Sequence, residues 1–335
     1  MANKSSKDNN KKEFNSNNKK SFLIYEGLDS TLNKYSPNKQ SMPQNTSSMG
    51  PQQAPVAPGK GQGQEISEEE KKKMEKAKKE LEKFKDWAVK KYPFIKSLSV
   101  LPPQAIKAFV EEEEVPKETE KYTHLYMIIP EDDYKKAREI QKEVIKKVDS
   151  LDTEQKIWVQ IKSHVDVWEM CFDSKYELVN AVGMSYPLHD TGFLGILRVS
   201  EIHKSLVLQK FEKYVVSYVL VGSLVSRGKA TTESEVDVSV IINDTDVKKM
   251  PRLELKERLR SIIYKYASEA MAMAGVKNQL HIQTYLLTDF WDSVRDANPV
   301  IFTFIRDGAP LYDRQTFMPW KALLKMGKLT PTPES

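Results

Sequence analysis

Two acids separated by one residue, Glu235 and Asp237, stand where an apolar strand begins. Side chains alternate along a strand, so both carboxylates face one side, about 7 Å apart in rise. Another apolar run, residues 215–221, leads into Gly222 and Ser223 a short distance upstream. A glycine there allows the backbone to approach a phosphate closely, and the Ser223 hydroxyl and neighbouring amides can donate to phosphate oxygens. Paired oxygen ligands can hold Mg²⁺ (or Mn²⁺) against a triphosphate. Metal ions so placed orient a nucleophile and stabilise a departing pyrophosphate. An acid-x-acid pair alone reads as two solvated carboxylates. Gly-Ser at this spacing, behind an apolar strand, gives the pair its chemical meaning.

Residues 221–242 resemble the motif of polymerase-beta-like nucleotidyltransferases: Gly-[Gly/Ser], a spacer of roughly ten residues, then two acids flanking one apolar residue. The minimal members of that superfamily are the most similar. Gly222, Ser223, Arg227, Gly228, Ser234, Glu235 and Asp237 fit its positions, with one residue inserted between Ser223 and Gly228. The motif covers about twenty residues, and the likeness in element order runs from 200 to 313. The resemblance implies an α/β (α+β) nucleotidyltransferase fold and transfer of a nucleotidyl group from an NTP to a hydroxyl of nucleic acid, small molecule or protein. Glu235 and Asp237 would then bind the metal. Gly222, Ser223 and Ser234 would contact the nucleotide, with Arg227 and Lys229 as further phosphate contacts.

The family carries a third carboxylate on a later strand, which by order is residues 280–287. Its polar positions are His281 and Gln283, two apart on one face, and neither is an acid. His281 has the chemistry of a ligand or a base near neutral pH; a structural role is the simpler reading of a lone strand histidine. Asp244, Asp246 and Asp289 lie too far along the chain to substitute. A rival from another class follows: a pseudoenzyme that lacks the third carboxylate and keeps the fold as a nucleotide- or RNA-binding or regulatory module.

The elements that must position these groups alternate between strands and helices. Strands are expected at 125–129, 156–161, 215–221, 236–242 and 280–287, and helices at 67–91, 132–148, 200–214 and 252–274. Ser67 and Glu70 form a capping box for the first helix. The acidic run 111–114 reads as a solvated loop or helix end. The chain also echoes itself. Asp166, Trp168, Asp173, Pro187, Leu188 and Asp190 recur 123 positions later as Asp289, Trp291, Asp296, Pro310, Leu311 and Asp313, and Gln160 recurs as Gln283. A second block, Ile128, Ile129, Asp133, Lys135 and Lys136, recurs 113 positions later as Ile241, Ile242, Asp246, Lys248 and Lys249. A tandem duplication is expected, with ten extra residues in the second copy between the blocks. The first copy has Tyr122 and His124 where Glu235 and Asp237 stand, and Pro102-Pro103 near Gly-Ser, so it reads as degenerate. Trp168 and Trp291 are expected at equivalent core sites.

Composition sets the remaining bounds. The net charge is +5, but residues 1–66 carry nine Lys and five acids, so the rest of the chain is nearly neutral. That gives no general basic surface for nucleic acid. Residues 1–66, rich in Asn, Lys, Ser, Gln, Pro and Gly, read as a disordered tail. Within it residues 21–28 hold Phe22, Leu23, Ile24 and Tyr25, a candidate docking segment. Residues 67–198 and 199–335 are then the degenerate and the motif-bearing domains. The one cysteine, Cys171, excludes an internal disulfide framework and reads as a buried thiol. No secretory signal or membrane span is apparent, and a cytoplasmic protein is expected.

Overall fold

The computed structural model describes residues 68–228, 230–245 and 250–330, apart from the side chains of residues 68–71 and 227. The expected tail, Ser67, the 21–28 segment, Lys229, Asp246, Lys248 and Lys249 therefore lie outside the described residues.

The chain is mixed α/β and builds two four-stranded sheets, one after the other. The first unit runs α1 (Glu68–Lys91), β1 (Ser97–Val100), α2 (Ile106–Glu112), β2 (Thr123–Ile129), α3 (Ala137–Asp149), β3 (Ile157–Ser163), α4 (His164–Phe172), α5 (Tyr176–Gly183) and β4 (Tyr186–Asp190). The second runs α6 (Phe193–Phe211), β5 (Val215–Val221), α7 (Ser223–Arg227), β6 (Val236–Ile242), α8 (Arg252–Ala274), β7 (Leu280–Leu286), α9 (Leu287–Arg295), α10 (Pro299–Asp307), β8 (Ala309–Asp313) and α11 (Phe317–Lys325). The sheet orders are β3-β2-β1-β4 and β7-β6-β5-β8. In each the middle pair is antiparallel, one outer strand joins in parallel and the other antiparallel.

The agreement extends to single residues. Thr123 faces Ile157 as Val236 faces Leu280, and Ser97 faces Asp190 as Ser217 faces Asp313. The register slips at the same place in both sheets, between Leu98 and Ser99 and between Tyr218 and Val219. Pro187 and Pro310 pair with Ser99 and Val219 just past these slips. A proline removes a ladder donor, so an irregular stretch of an outermost strand is where a sheet tolerates it. Asp190 and Asp313 end those strands, and their carboxylates accept from amides at the start of the next helix: Leu194 and Gly195 in one unit, Phe317 and Met318 in the other. The repeated Pro-Leu-x-Asp is thus a bulged outer strand with a helix cap. The ten-residue difference lies in one helix, since α3 has 13 residues and α8 has 23.

The units stack head to tail. One face of the first sheet packs on α1 and α3, through Phe84, Ile140, Val144, Leu125 and Met127. Its other face, with α4 and α5, shares a core with α6, which also covers Tyr218, Val238 and Val240 of the second sheet. Because α6 lies between two sheets, it is buried almost all round, including Arg198, Glu201, His203 and Lys204. Those polar groups are bonded. Glu201 accepts from Lys204 and from Asn180 at 2.7 Å, and the two His203 ring nitrogens meet Tyr218 Oη at 2.9 Å and Ile263 O at 3.0 Å. The expected boundary at 198/199 falls inside this helix. The far face of the second sheet is covered by α9, α10 and α11, around Phe290, Phe304 and Phe317.

Three expectations need correction. Trp168 and Trp291 hold the same position in corresponding helices, but Trp168 is 3% exposed against Phe193, whereas Trp291 is 52% exposed and touches Trp320 edge-on. The 19-residue α6 covers the first tryptophan; the nine-residue α11 only borders the second. The helix expected at 132–148 begins as a 3-10 turn over Glu131–Lys136, and the one expected from 200 begins at Phe193. Cys171 is buried, and burial pushes its thiol well above the usual range. Among the described residues no helix is long and apolar enough to cross a membrane.

Candidate functional site

The site forms where β5 ends and β6 begins. Asp237 lies opposite Val221 of β5 and beside His281 of β7. The next residue after Val221 is Gly222, at φ +87° and ψ −163°, a conformation open to glycine. A Cβ on Gly222 would stand 2.6 Å from Asp237 Oδ2. The glycine therefore lets the carboxylate lie directly against the turn, and the two parts of the motif meet in space. Ser223 follows on the exposed surface and opens the single turn of α7. Gly228 ends that turn at φ +58°, and a Cβ there would strike the His164 ring at 2.5 Å. The first unit thus braces the motif loop.

Glu235 precedes β6 and is held by a loop fixed on several sides. Ser234 N donates to Thr231 O at 3.1 Å, and Thr231 N donates to Ser234 Oγ at 2.9 Å. Asn278 is 1% exposed and donates through Nδ2 to both Thr231 O and Ser234 O, at 3.0 and 2.9 Å. Gly192, at φ +131°, packs so closely that a Cβ would lie 2.3 Å from the Thr231 carbonyl carbon. Ser234, expected as a nucleotide contact, thus uses its hydroxyl to close this turn. The supporting Asn278 and Gly192 were missed in the sequence, where a lone Asn before a strand and a Gly before a helix read as ordinary turn residues.

His281 Nδ1 lies 3.6 Å from Glu235 Oε2 and 3.8 Å from Asp237 Oδ1. All three side chains are substantially open to solvent, Asp237 the least at 42%. Burial of Asp237 raises its pKa; the neighbouring His281 opposes this and the Glu235 charge adds to it. Gln283 is two pairs further along, opposite Ser239, and accepts from Tyr285 Oη at 2.7 Å. Arg227 has its backbone in α7. Asp244 and Asp289 are engaged at the opposite ends of the strands: Asp244 accepts from Thr288 N at 3.1 Å, and Asp289 pairs with Arg252 and Lys256. No acid stands beside Asp237 on β7.

Among the described residues no three of His, Cys, Asp and Glu are arranged to hold a metal ion by themselves. Two carboxylates are nevertheless enough for one Mg²⁺ whose other ligands are phosphate oxygens and water. Glu235, just before β6, and Asp237 within it both lie within 4 Å of His281, exposed beside a glycine turn, and fit that donor set.

The first unit shows the same place closed. Leu101 N donates to His124 O at 2.9 Å, so Pro102 and Pro103 take the positions of Gly222 and Ser223. His124 is in register with Trp158 as Asp237 is with His281. The His124 ring is fully buried, with Nε2 2.8 Å from Thr119 O, and burial lowers its pKa. Phe109 of α2 packs on Tyr126 at 5.9 Å between ring centroids. No family model matches the chain, and comparisons with curated proteins and with solved structures return no match.

Proposed function

We propose that the two units are tandem copies of a nucleotidyltransferase-type fold and that the second transfers a nucleotidyl group from an NTP to an acceptor hydroxyl. The observation that carries this reading is the approach of Gly222 to the Asp237 carboxylate, which unites the phosphate-binding turn with the acid pair. Glu235 and Asp237 would hold Mg²⁺, which when bound neutralises phosphate charge and orients the triphosphate. Gly222 and Ser223 would cradle the phosphates. The acceptor oxygen forms a bond to the α-phosphorus as the bond to pyrophosphate breaks. His281, 3.8 Å from Asp237, is placed to take the hydroxyl proton.

A second reading is favoured by one specific observation. His281 occupies the β7 position in register with Asp237, where the family's third carboxylate is expected. With that acid replaced, the unit would bind NTP·Mg²⁺ without turning it over. Titration with a non-hydrolysable ATP analogue, with and without Mg²⁺, tests the shared part of both readings. Mg²⁺-dependent binding lost in Asp237→Ala, at an unchanged or raised melting temperature, is expected, since the substitution removes a carboxylate held against its desolvation cost. Binding that ignores both Mg²⁺ and Asp237→Ala overturns the metal site. Radiolabel transfer to a hydroxyl acceptor then separates enzyme from binding module.

A further inference from the structure

The outer edge of the first sheet carries a groove. β3 pairs only with β2, so its other side has no strand partner among the described residues. Beside it α3 leaves two adjoining hollows, of about 480 and 470 Å³, which meet at Gln141. Ile157, Val159 and Ile161 of β3 line them in turn, and Ile145 of α3 lies at the groove 48% exposed. An unpaired strand edge with an apolar wall is a template for a further strand.

The chain itself supplies a source for that strand. Lys73 and Lys76 of α1 pair with Glu154 and Asp152, at 3.3 and 2.6 Å, in the loop that ends the larger hollow. Glu68 is five residues before Lys73, about 8 Å along a helix. The 67 preceding residues therefore join the described fold near the mouth of the groove. Within them, residues 21–28 read Ser-Phe-Leu-Ile-Tyr-Glu-Gly-Leu, the one stretch of four consecutive large apolar residues. About forty residues separate it from α1, a span of roughly 35 Å for a flexible chain, and β3 with seven residues is about 23 Å long. Tethering at such a length gives an effective concentration on the order of millimolar. Charge fixes the direction. Glu26 and Asp29 follow the apolar residues, and Lys135 and Arg138 line the smaller hollow beside Ile161. The other end of the groove holds Asp149 and Glu154 with Lys156, a net acidic set, so the acids of the segment meet the basic end when it runs parallel to β3.

We propose that residues 21–28 dock in the α3–β3 groove of their own chain and add a parallel strand to β3, with Phe22 toward Ile157 and Glu26 toward Lys135 and Arg138. Hydrogen exchange on the full chain tests this directly. Amides of 22–25 should exchange at least tenfold slower than those on either side in the first 66 residues. The Ile24→Asp chain should lose that protection and expose the outer amides of β3. Ile145→Asp, at an already exposed position, should release the segment while leaving the melting temperature near that of the wild type. Exchange of 22–25 at the rate of its neighbours overturns the proposal, as does protection that survives Ile145→Asp. Protection that grows over a tenfold rise in protein concentration assigns the segment to a second copy and overturns the intrachain placement.

Discussion

The two units share strand order, register and even the position of a bulge, yet one has an open cleft and the other a packed one. The difference arises in the connection between the first two strands. In the second unit residues 222–228 form a glycine turn and one helical turn and residues 230–235 a pinned loop, leaving Asp237 half-exposed. In the first, residues 101–122 begin with Leu-Pro-Pro and supply α2 and a 3-10 turn, whose Phe109 and Thr119 cover Tyr126 and His124. The same strand order thus accommodates either an open or a filled cleft, depending on the connection between its first two strands. A backbone that cannot adopt φ > 0 also removes the close approach that a carboxylate at the His124 position would need.

The largest expected effect comes from removing the two tryptophans in turn. Trp168→Ala empties a site sealed by α6 and should cost about 3–5 kcal/mol. Trp291→Ala acts at a half-exposed position and should cost about 1 kcal/mol or less. Urea unfolding of both variants measures the gap. Equal losses would mean that head-to-tail stacking does not distinguish the units.

This contrast also marks what the sequence can and cannot reveal. Residues 215–221, 236–242 and 252–274 are legible as two strands and a helix with their observed bounds, because continuous apolar runs or a long mixed-charge helix leave one reading. The offsets of 123 and 113 foretold corresponding ladders. β1 was not expected: Ser-Leu-Ser-Val is four residues long, between a lysine and two prolines, and its partners are distant in sequence. β4 and β8 were hidden by the prolines that mark their bulges. The acid pair and Gly-Ser were legible as spatial neighbours because their spacing is local. The struts Asn278, Gly192 and His164 were not, since each reaches the motif loop from a different part of the chain. The same limit explains Trp291, whose exposure depends on the length of a neighbouring helix and not on its own surroundings in sequence.

The next effect probes the junction of the units through pH. Desolvation pushes His203 down to about 4, and its neutral ring accepts from Tyr218 and donates to Ile263 O. The unfolded histidine titrates near 6.5. Below that value the unfolded chain binds a proton that the fold refuses, so this contribution is complete above about pH 6.5 and is lost as pH falls toward 4. A displacement of about 2.5 units is worth roughly 3 kcal/mol. Urea midpoints should fall over this window in the wild type, and His203→Gln should be less stable at pH 7.5 but flatter below pH 6.5. An identical slope in the variant would place the acid sensitivity elsewhere.

A last substitution acts at the cleft itself. His281→Asp would place an acid beside Asp237 in the β6–β7 register and move the second unit further from the filled first one, where Trp158 stands. Without metal, a third negative charge beside Glu235 and Asp237 should raise the Asp237 pKa further and lower the melting temperature. Mg²⁺ with an NTP should reverse both, because the added charge then has a counter-ion. If incomplete acid–base machinery limits transfer, turnover should rise toward 10²-fold, the lower end of what general catalysis contributes. His281→Ala should instead lower any wild-type activity, since it removes the ring that stands beside both carboxylates. The two substitutions together divide the readings. A variant His281→Asp that binds NTP·Mg²⁺ more tightly yet transfers nothing makes the second unit a binding module with an intact phosphate cradle. Robust wild-type transfer unaffected by either substitution would mean that the proton leaves by a group other than the side chain at position 281, and that a binding module is the wrong reading of the second unit.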